Sequence, residues 1–162
     1  MLKKLQKNNE GFTIIEVMIV LAIAGLILLI VFLAIPALQR NSRNTQRKND
    51  AGALSAAYSE YVNNHGGKSP GAPDDVTNNA KLGFYTTSGA VTLTTLASTT
   101  TTFPAAPDND SVVILVNAKC DPQGTYSRTP GTGNSVSYSS RGGVILYTVE
   151  GSTDTTTCTS AG

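Results

Sequence analysis

Residues 11–36 read GFTIIEVMIVLAIAGLILLIVFLAIP, and this stretch decides the fold of the chain. Nineteen residues from Val17 to Ile35 carry no charge. At about 1.5 Å per residue, a helix of that length nearly spans a hydrocarbon layer about 30 Å thick. The run is also longer than the roughly 7–15 apolar residues of an ordinary signal peptide, and no small-x-small cleavage site follows it directly. We therefore predict a single membrane-spanning helix.

The flanking charges do not orient this helix. A basic cluster lies on each side, and each cluster is offset by one acid, Glu10 before the helix and Asp50 after it. The positive-inside rule therefore gives a tie. For the second cluster we expect a solvated helix face, with contacts to lipid phosphates or pairing with Asp50 and Glu60 of neighbouring copies as the alternatives. The basic residues are Lys3, Lys4 and Lys7 on one side, and Arg40, Arg43, Arg47 and Lys48 on the other.

The helix is predicted to continue beyond the apolar run. Residues 37–64 place apolar side chains at helical spacing between positions 54 and 62. Pro36 removes a backbone donor and crowds the preceding turn, so a kink is predicted there. The sequence Asn64-His65-Gly66-Gly67 tolerates positive φ and is a predicted helix stop. We predict one helix from about residue 12 to residue 64, with an apolar half (12–36) and an amphipathic half (37–64).

Residues 65–162 are predicted to form a globular region. A loop over residues 65–83 is expected to hold a short helical turn around 74–81. Because the strand-like runs that follow have no helix between them, we expect a small antiparallel sheet. The amphipathic part of the helix at 51–63 is the candidate to cover this sheet, so the predicted fold class is α+β. The runs are Ala90–Leu96, Val112–Asn117, Ser135–Ser139 and Val144–Val149.

The composition argues against catalysis and against binding through bulk charge. The net charge is +1, which gives no electrostatic reason to expect a nucleic-acid partner. His65 is the single histidine, and the sequence has no phosphate-binding loop and no metal-ligand spacing. The threonines before Cys158 faintly resemble the cysteine environment of sortase transpeptidases. That family needs a basic residue after the cysteine, and only Thr159–Gly162 remain. We expect no enzyme, no cofactor and no metal site.

The segment Gly11-Phe12-Thr13-Ile14-Ile15-Glu16, between a basic leader and a long apolar run, resembles the processing and assembly motif of type IV pilins. The close resemblance covers about residues 3–35, and the remainder agrees only in architecture. It implies that a prepilin peptidase cuts after Gly11 and methylates the new amine of Phe12. It also implies that the leader, residues 1–11, is cytoplasmic. Pro36 falls a few residues later than the usual helix proline of the family.

The resemblance further implies where the chain acts and with what. The precursor is held in the cytoplasmic membrane as a single-pass prepilin with a cytoplasmic N-terminus, where it contacts lipid and the pilus assembly machinery. The mature chain then joins an extracellular filament, a homopolymer of pilin subunits that serves adhesion, twitching motility or DNA uptake, so a nucleic-acid partner stays open. The alternatives are a pseudopilin of a type II secretion or competence machine and, from another class, a membrane-anchored adhesin domain that does not polymerise.

Glu16 has a physical role that can be stated independently. Placing an acid one turn into an apolar span costs roughly several kcal/mol in lipid, unless the acid meets a positively charged partner. Cleavage creates such a partner, because it frees an amine at Phe12. The amine of a neighbouring subunit, shifted along the axis, reaches Glu16 in a setting of low dielectric constant, where charge pairs are strong. Glu16 is therefore predicted to set the register of assembly; the alternative is a passive position at headgroup level.

The chain has two cysteines, Cys120 and Cys158. In the resembled family a disulfide crosslinks the C-terminal region, so an intrachain disulfide is expected here, formed in an oxidising compartment. Such a bridge would close a loop of 39 residues counted inclusively, which stabilises by about 4 kcal/mol in the chain-entropy estimate. Two free thiols or intermolecular links are the alternatives.

Overall fold

The computed structural model describes residues 11–87, 89–98, 105–120, 136–151 and 155–161. The chain divides into two units, Met1–Gln39 and Arg40–Gly162, and helix α1 contributes residues to both. The helices are α1 (Ile14–Asn64) and α2 (Asp74–Thr77). The strands are β1 (Val91–Thr95), β2 (Val112–Cys120), β3 (Val136–Val149) and β4 (Thr155–Ala161).

The long helix is confirmed, with bounds close to those predicted. α1 ends at Asn64, and the chain leaves it through Gly66 and Gly67, whose φ angles are 64° and 86°. The Gly67 N–H donates to the Val62 carbonyl over 2.8 Å, which is the six-residue hydrogen bond of a Schellman cap. Glycine suits this position because it adopts positive φ without a steric penalty. The helix includes Pro36, and the kink there stays a prediction.

In the first unit, the apolar side chains of α1 have no partner surface among the described residues. Phe32 and Leu33 expose 71% and 74% of their surface, and the other large side chains from Ile14 to Leu38 are also exposed. Within the part of the chain that the structure describes, α1 is the one helix long and apolar enough to cross a membrane, by length and composition. A continuous apolar surface of this extent requires lipid or another protein around it.

The second unit contains a four-stranded sheet in the order β1-β2-β3-β4. The α+β class is confirmed, and β2–β3 and β3–β4 are antiparallel as expected. The expected purely antiparallel sheet is corrected in one pair, because β1 runs parallel to β2. Parallel neighbours need a crossover of about a dozen residues or more, and the segment between the two strands, residues 96–111, is long enough to supply it.

Two further strand predictions are corrected. The predicted runs Ser135–Ser139, of which residues 136–139 are described, and Val144–Val149 fall in a single strand, β3 (Val136–Val149). Gly142 and Gly143, which lie between the two runs, are inside the strand at a bulge. Strand β4 was not predicted, because its sequence TTTCTSA lacks alternating large apolar residues.

The sheet buries apolar side chains on both faces. On one face, Ile114 and Ile145 pack with Leu54 and Tyr58 of α1, all four of them essentially inaccessible to solvent. On the other face, Val113, Leu115, Val144 and Leu146 form a second cluster. Successive residues of β2 and β3 alternate between these clusters, as side chains of a strand must.

The far end of the β2–β3 hairpin bends back to cover the second cluster. The register advances by two residues on β2, from Val116 to Ala118, while it moves by five on β3, from Gly143 to Tyr138. At the bend Asn117 adopts φ 60°, a left-handed conformation that asparagine tolerates better than most residues. Ala118 consequently packs in the second cluster.

The glycine pair at the bulge leaves room for this bend. A Cβ at Gly142 would collide with the carbonyl of Ala118, and a Cβ at Gly143 would collide with the ring of Tyr58. The Tyr58 hydroxyl donates to the Gly142 carbonyl over 3.3 Å. Both glycines are therefore required by close approach.

Candidate processing and assembly segment

The junction between Gly11 and Phe12 lies just outside the helix. Gly11, Phe12 and Thr13 are not helical, α1 begins at Ile14, and Phe12 exposes 89% of its surface. A peptide bond in an exposed, non-helical segment can be bound by a peptidase without unwinding a helix. A Cβ at Gly11 would meet nothing within 4 Å, so the described fold does not itself require glycine there. Residues 1–10 of the predicted leader, 1–11, lie outside the described residues.

Thr13 and Glu16 cap the start of α1. The backbone N–H and the hydroxyl of Thr13 both donate to Oε2 of Glu16, over 2.8 Å and 2.7 Å. The Glu16 N–H is 3.4 Å from the Thr13 hydroxyl oxygen, which closes the reciprocal arrangement of a capping box. This capping role was not predicted from the sequence. The pattern Thr-x-x-Glu directly before an apolar run was the signal that identifies it.

The capping box orients the carboxylate of Glu16 at the first turn of an apolar helix. Both bonds from Thr13 end on Oε2, and among the described residues no hydrogen bond ends on Oε1. A carboxylate accepts several hydrogen bonds through its two oxygens. Glu16 is thus held in place by its own helix and retains an oxygen that can accept from a second partner.

Two of the four basic residues after the apolar run, Arg43 and Arg47, form ion pairs within the second unit. Arg43 donates from Nη2 to Oε2 of Glu150 over 2.7 Å and from Nε to Oε1 over 3.1 Å, and Arg47 donates from Nη2 to the same Oε1 over 2.6 Å. Arg47 is 1% exposed and its guanidinium lies 4.5 Å from the centre of the Phe84 ring. The prediction of a solvated helix face is therefore wrong for Arg43 and Arg47.

The pKa of Glu150 follows from this pairing. The hydrogen bond from Arg43 lowers it most, the contact with Arg47 adds to the effect, and partial desolvation opposes it, so that the pKa falls to about 2. The carboxylate therefore stays charged under ordinary conditions. Asn44 also binds Glu150, through the backbone of that residue. The Asn44 side-chain amide donates to the Glu150 carbonyl over 2.8 Å, and its side-chain oxygen accepts from the Glu150 N–H over 2.9 Å.

Asp50 also has its hydrogen-bond partners within the chain. Its carboxylate accepts hydrogen bonds from the backbone N–H groups of Gly83, Phe84 and Tyr85, at 2.7–3.1 Å. Asp50 is 4% exposed. It fixes the loop before β1 to α1. Helical spacing from Leu54 back to Asp50, Arg47 and Arg43 was the sequence signal for this polar part of the buried face.

The disulfide between Cys120 and Cys158 is confirmed, with Cα atoms 5.9 Å apart. Cys158 pairs with Leu146, which pairs with Val113, whereas Cys120 lies seven residues beyond Val113 on β2. In a straight strand that separation is roughly 23 Å, so the bridge depends on the bend at Asn117. Because the sulfur of Cys158 is bonded, it cannot serve as the thiol nucleophile considered above.

His65 has a structural position. Its ring stacks on Tyr61 with centroids 3.9 Å apart, and its Nδ1 lies 2.9 Å from the Tyr61 carbonyl oxygen. The same carbonyl also accepts from the backbone N–H of His65 over 3.0 Å, so both contacts come from one residue at the C-terminal end of α1.

Comparison with known protein families gives a match at the N-terminal segment that contains this junction and the start of α1. The family model described as "Prokaryotic N-terminal methylation motif" matches residues 6–32, and this motif is the type IV prepilin signature. The chain therefore carries the signature of a type IV pilin-like prepilin or pseudopilin. No curated protein and no solved structure gave a significant match to the chain.

Proposed function

We propose that this chain is the subunit of a type IV pilus filament. It is inserted in the cytoplasmic membrane as a prepilin, cleaved between Gly11 and Phe12, methylated on the amine of Phe12 and polymerised through α1. The observation that carries the proposal is the matched motif at residues 6–32 together with its geometry: an exposed junction, a capped helix start and a helix whose apolar side chains are exposed throughout the first unit.

Cleavage is assigned to a prepilin peptidase that acts at the membrane. The junction precedes Ile14, so the enzyme reads an extended segment while α1 stays folded. Glycine at position 11 is attributed to the substrate groove of this peptidase, because nothing in the described fold needs it. The leader stays on the cytoplasmic side and the second unit is extracytoplasmic, where the disulfide forms.

Glu16 acts in two successive states. In the precursor its Oε2 accepts from Thr13, which lowers the cost of placing an acid in an apolar helix. After cleavage, the free oxygen accepts a charged bond from the Phe12 amine of a neighbouring subunit. Loss of one partner of such a buried pair costs about 3–5 kcal/mol, which is enough to reject subunits packed at the wrong height.

Polymerisation replaces lipid by protein around α1. The side chains from Ile14 to Leu38 are all apolar or small apart from Glu16, and those of the large residues are exposed. The same apolar surface therefore suits both lipid and a protein filament. When α1 leaves the lipid, Glu16 is the one charge of this segment that needs a partner.

The second candidate is a pseudopilin of a type II secretion or competence machine, because the matched motif is common to both classes. The two functions differ in the product. A pilin forms long surface filaments, whereas a pseudopilin forms a short fibre within the cell envelope.

Mass spectrometry of sheared surface filaments tests the proposal. The chain is expected to begin at methylated Phe12, and a Gly11→Leu variant is expected to keep Met1 and to stay in the membrane. An intact Met1 terminus in the wild-type chain contradicts the proposal. Processed chain that is absent from long filaments identifies the pseudopilin. Adhesion, twitching motility and DNA uptake, measured in a strain that lacks the chain, assign the purpose of the filament.

A further inference from the structure

Three charges on the second half of α1, those of Arg40, Lys48 and Glu60, form no ion pair or hydrogen bond with any of the described residues. Arg43, Arg47 and Asp50 are committed within the second unit. Lys48 and Glu60 are both exposed. Neither has an opposite charge three or four positions away on its own helix, so the ordinary helical pairing that stabilises surface charges is not open to them.

The outward face of this part of α1 carries little other charge. Thr45, Asn49, Gly52 and Ala56 are exposed there, opposite the buried face that contains Leu54. The free face of an amphipathic helix in water is usually rich in charged residues. A face of short uncharged side chains instead allows another surface to come close.

Lys48 lies at the wall of a groove beside this face. The groove has a volume of about 500 Å³ and lies between α1 and the sheet, with Asn41, Thr45 and Lys48 on the helix side and Tyr147 and Thr157 on the strand side. Among the described residues that line it, Lys48 is the one charged side chain. The groove is thus a positive slot with hydroxyl and amide groups around it, and its charge complements a carboxylate.

We propose that this groove is the docking site for a second copy of the chain, with Glu60 of the neighbour entering beside Lys48. The proposal rests on the proposed function as a filament subunit and names one contact of that assembly. Glu60 is selected over other exposed acids because it lies on the same helix as Lys48, so two copies that place α1 side by side with an offset along the helix axis bring Glu60 of one copy to Lys48 of the next.

Helix geometry makes this contact heterologous. Lys48 and Glu60 are separated by 12 residues, which is about 18 Å along the axis and about 120° around it. They cannot meet within one copy, and they lie on different flanks of the helix. A contact between two different patches leaves a free patch at each end and therefore propagates into a filament rather than closing as a dimer.

The spacing also separates this contact from the one at the helix start. Glu16 and Phe12 are four residues apart, which corresponds to an axial offset of about 6 Å. The offset for Lys48 and Glu60 is about three times larger. In a regular helical assembly the two contacts therefore involve different neighbours, and each subunit is tied to more than one other.

Zero-length crosslinking of wild-type filaments tests the contact directly. A carbodiimide joins an amine to a carboxylate only when the two are in contact. We expect a Lys48–Glu60 crosslinked peptide in sheared filaments, and because the two residues lie too far apart in one copy, that peptide reports an intermolecular contact. A crosslink from Lys48 to Asp74 instead, or none from Lys48, overturns the proposal.

Charge reversal in the full-length chain provides the second test. We expect Lys48→Glu and Glu60→Lys each to lower the filament yield by roughly tenfold, and the double variant to restore it, because the pair is re-formed with opposite polarity. Lys68→Glu, an exposed charge reversal away from the groove, is the matched control and is expected to leave the yield unchanged. Membrane abundance and disulfide formation check that each variant folds.

The outcomes separate this proposal from the one on which it rests. If wild-type chain forms filaments and the double variant does not recover, the Lys48–Glu60 contact is refuted and the filament function stands. If Lys48→Glu is defective while Glu60→Lys is not, Lys48 meets another anion, such as a lipid phosphate, and the contact is again refuted. If wild-type chain forms no filament, the proposed function itself fails.

Discussion

Replacing Glu150 by glutamine removes the charge that Arg47 faces in the second unit. Arg47 is 1% exposed, and Glu150 retains 16% of its side-chain surface. Breaking a buried pair from one side costs about 3–5 kcal/mol, because the remaining charge is left uncompensated. The lowered pKa of Glu150, about 2, gives about 3 kcal/mol when compared with an ordinary value near 4.3. Since Glu150 is partly solvated and glutamine keeps one acceptor oxygen, we expect a loss of about 2–3 kcal/mol in the free energy of unfolding.

Urea unfolding of the full chain in detergent measures this loss. The chain has no tryptophan and six tyrosines, so near-ultraviolet circular dichroism of tyrosine is the signal for the second unit. The matched control is Arg43→Gln, which removes the partner whose side chain is 44% exposed. Its hydrogen bond contributes most to the lowered pKa of Glu150, but in this variant Glu150 keeps Arg47 and no buried charge is left without a partner. We therefore expect a smaller loss than that of Glu150→Gln, because an exposed ion pair contributes up to about 1 kcal/mol. A Glu150→Gln variant as stable as wild type, or an equal loss from Arg43→Gln, refutes the reasoning.

A double replacement separates the buried charge from the loss of packing. In Arg47→Met/Glu150→Leu both members of the buried pair are replaced by apolar side chains, so no buried charge is left without a partner, and the 44% exposed side chain of Arg43 is left to solvent. Such replacements are often neutral or stabilising. We expect the double variant to be more stable than Glu150→Gln alone. If it is less stable, the hydrogen bond of Arg47 to the Asn44 side chain and the contact of its guanidinium with the Phe84 ring contribute more than the charge pair.

Three further outcomes are expected. Because the pKa of Glu150 is depressed on folding, its contribution is present above the unfolded value and is lost as pH falls from about 4.5 to about 2; acid titration of stability should lose this step in Glu150→Gln. Asp50→Ala leaves the N–H groups of residues 83–85 without their acceptor and should cost about 3 kcal/mol in urea unfolding, whereas the exposed Asp74→Ala should cost little. Glu16→Ala should be cleaved normally and assemble poorly, as judged by processed chain in membranes against sheared filaments; a normal filament yield removes the register role of Glu16.

Features that depend on residues close together in the sequence could be predicted from the sequence alone. The span of α1 follows from its uncharged run, its Schellman cap follows from two consecutive glycines, and the junction at Gly11 and Phe12 follows from a short motif. Even the capping box of Thr13 and Glu16 is local, although it was missed. Each depends on residues within a few positions of one another, so neighbouring side chains and backbone preferences determine it.

Features that join distant residues were decided only by the tertiary structure. Strand β1 was recognisable from its sequence, but its parallel pairing with β2 depends on how the chain between them crosses over. Arg47 and Glu150 are 103 positions apart, and Asp50 meets Phe84 across 34. A charged side chain on a helix reads as solvated until the fold brings a partner to it, because burial of a charge is favourable only when the opposite charge or donor is already in place.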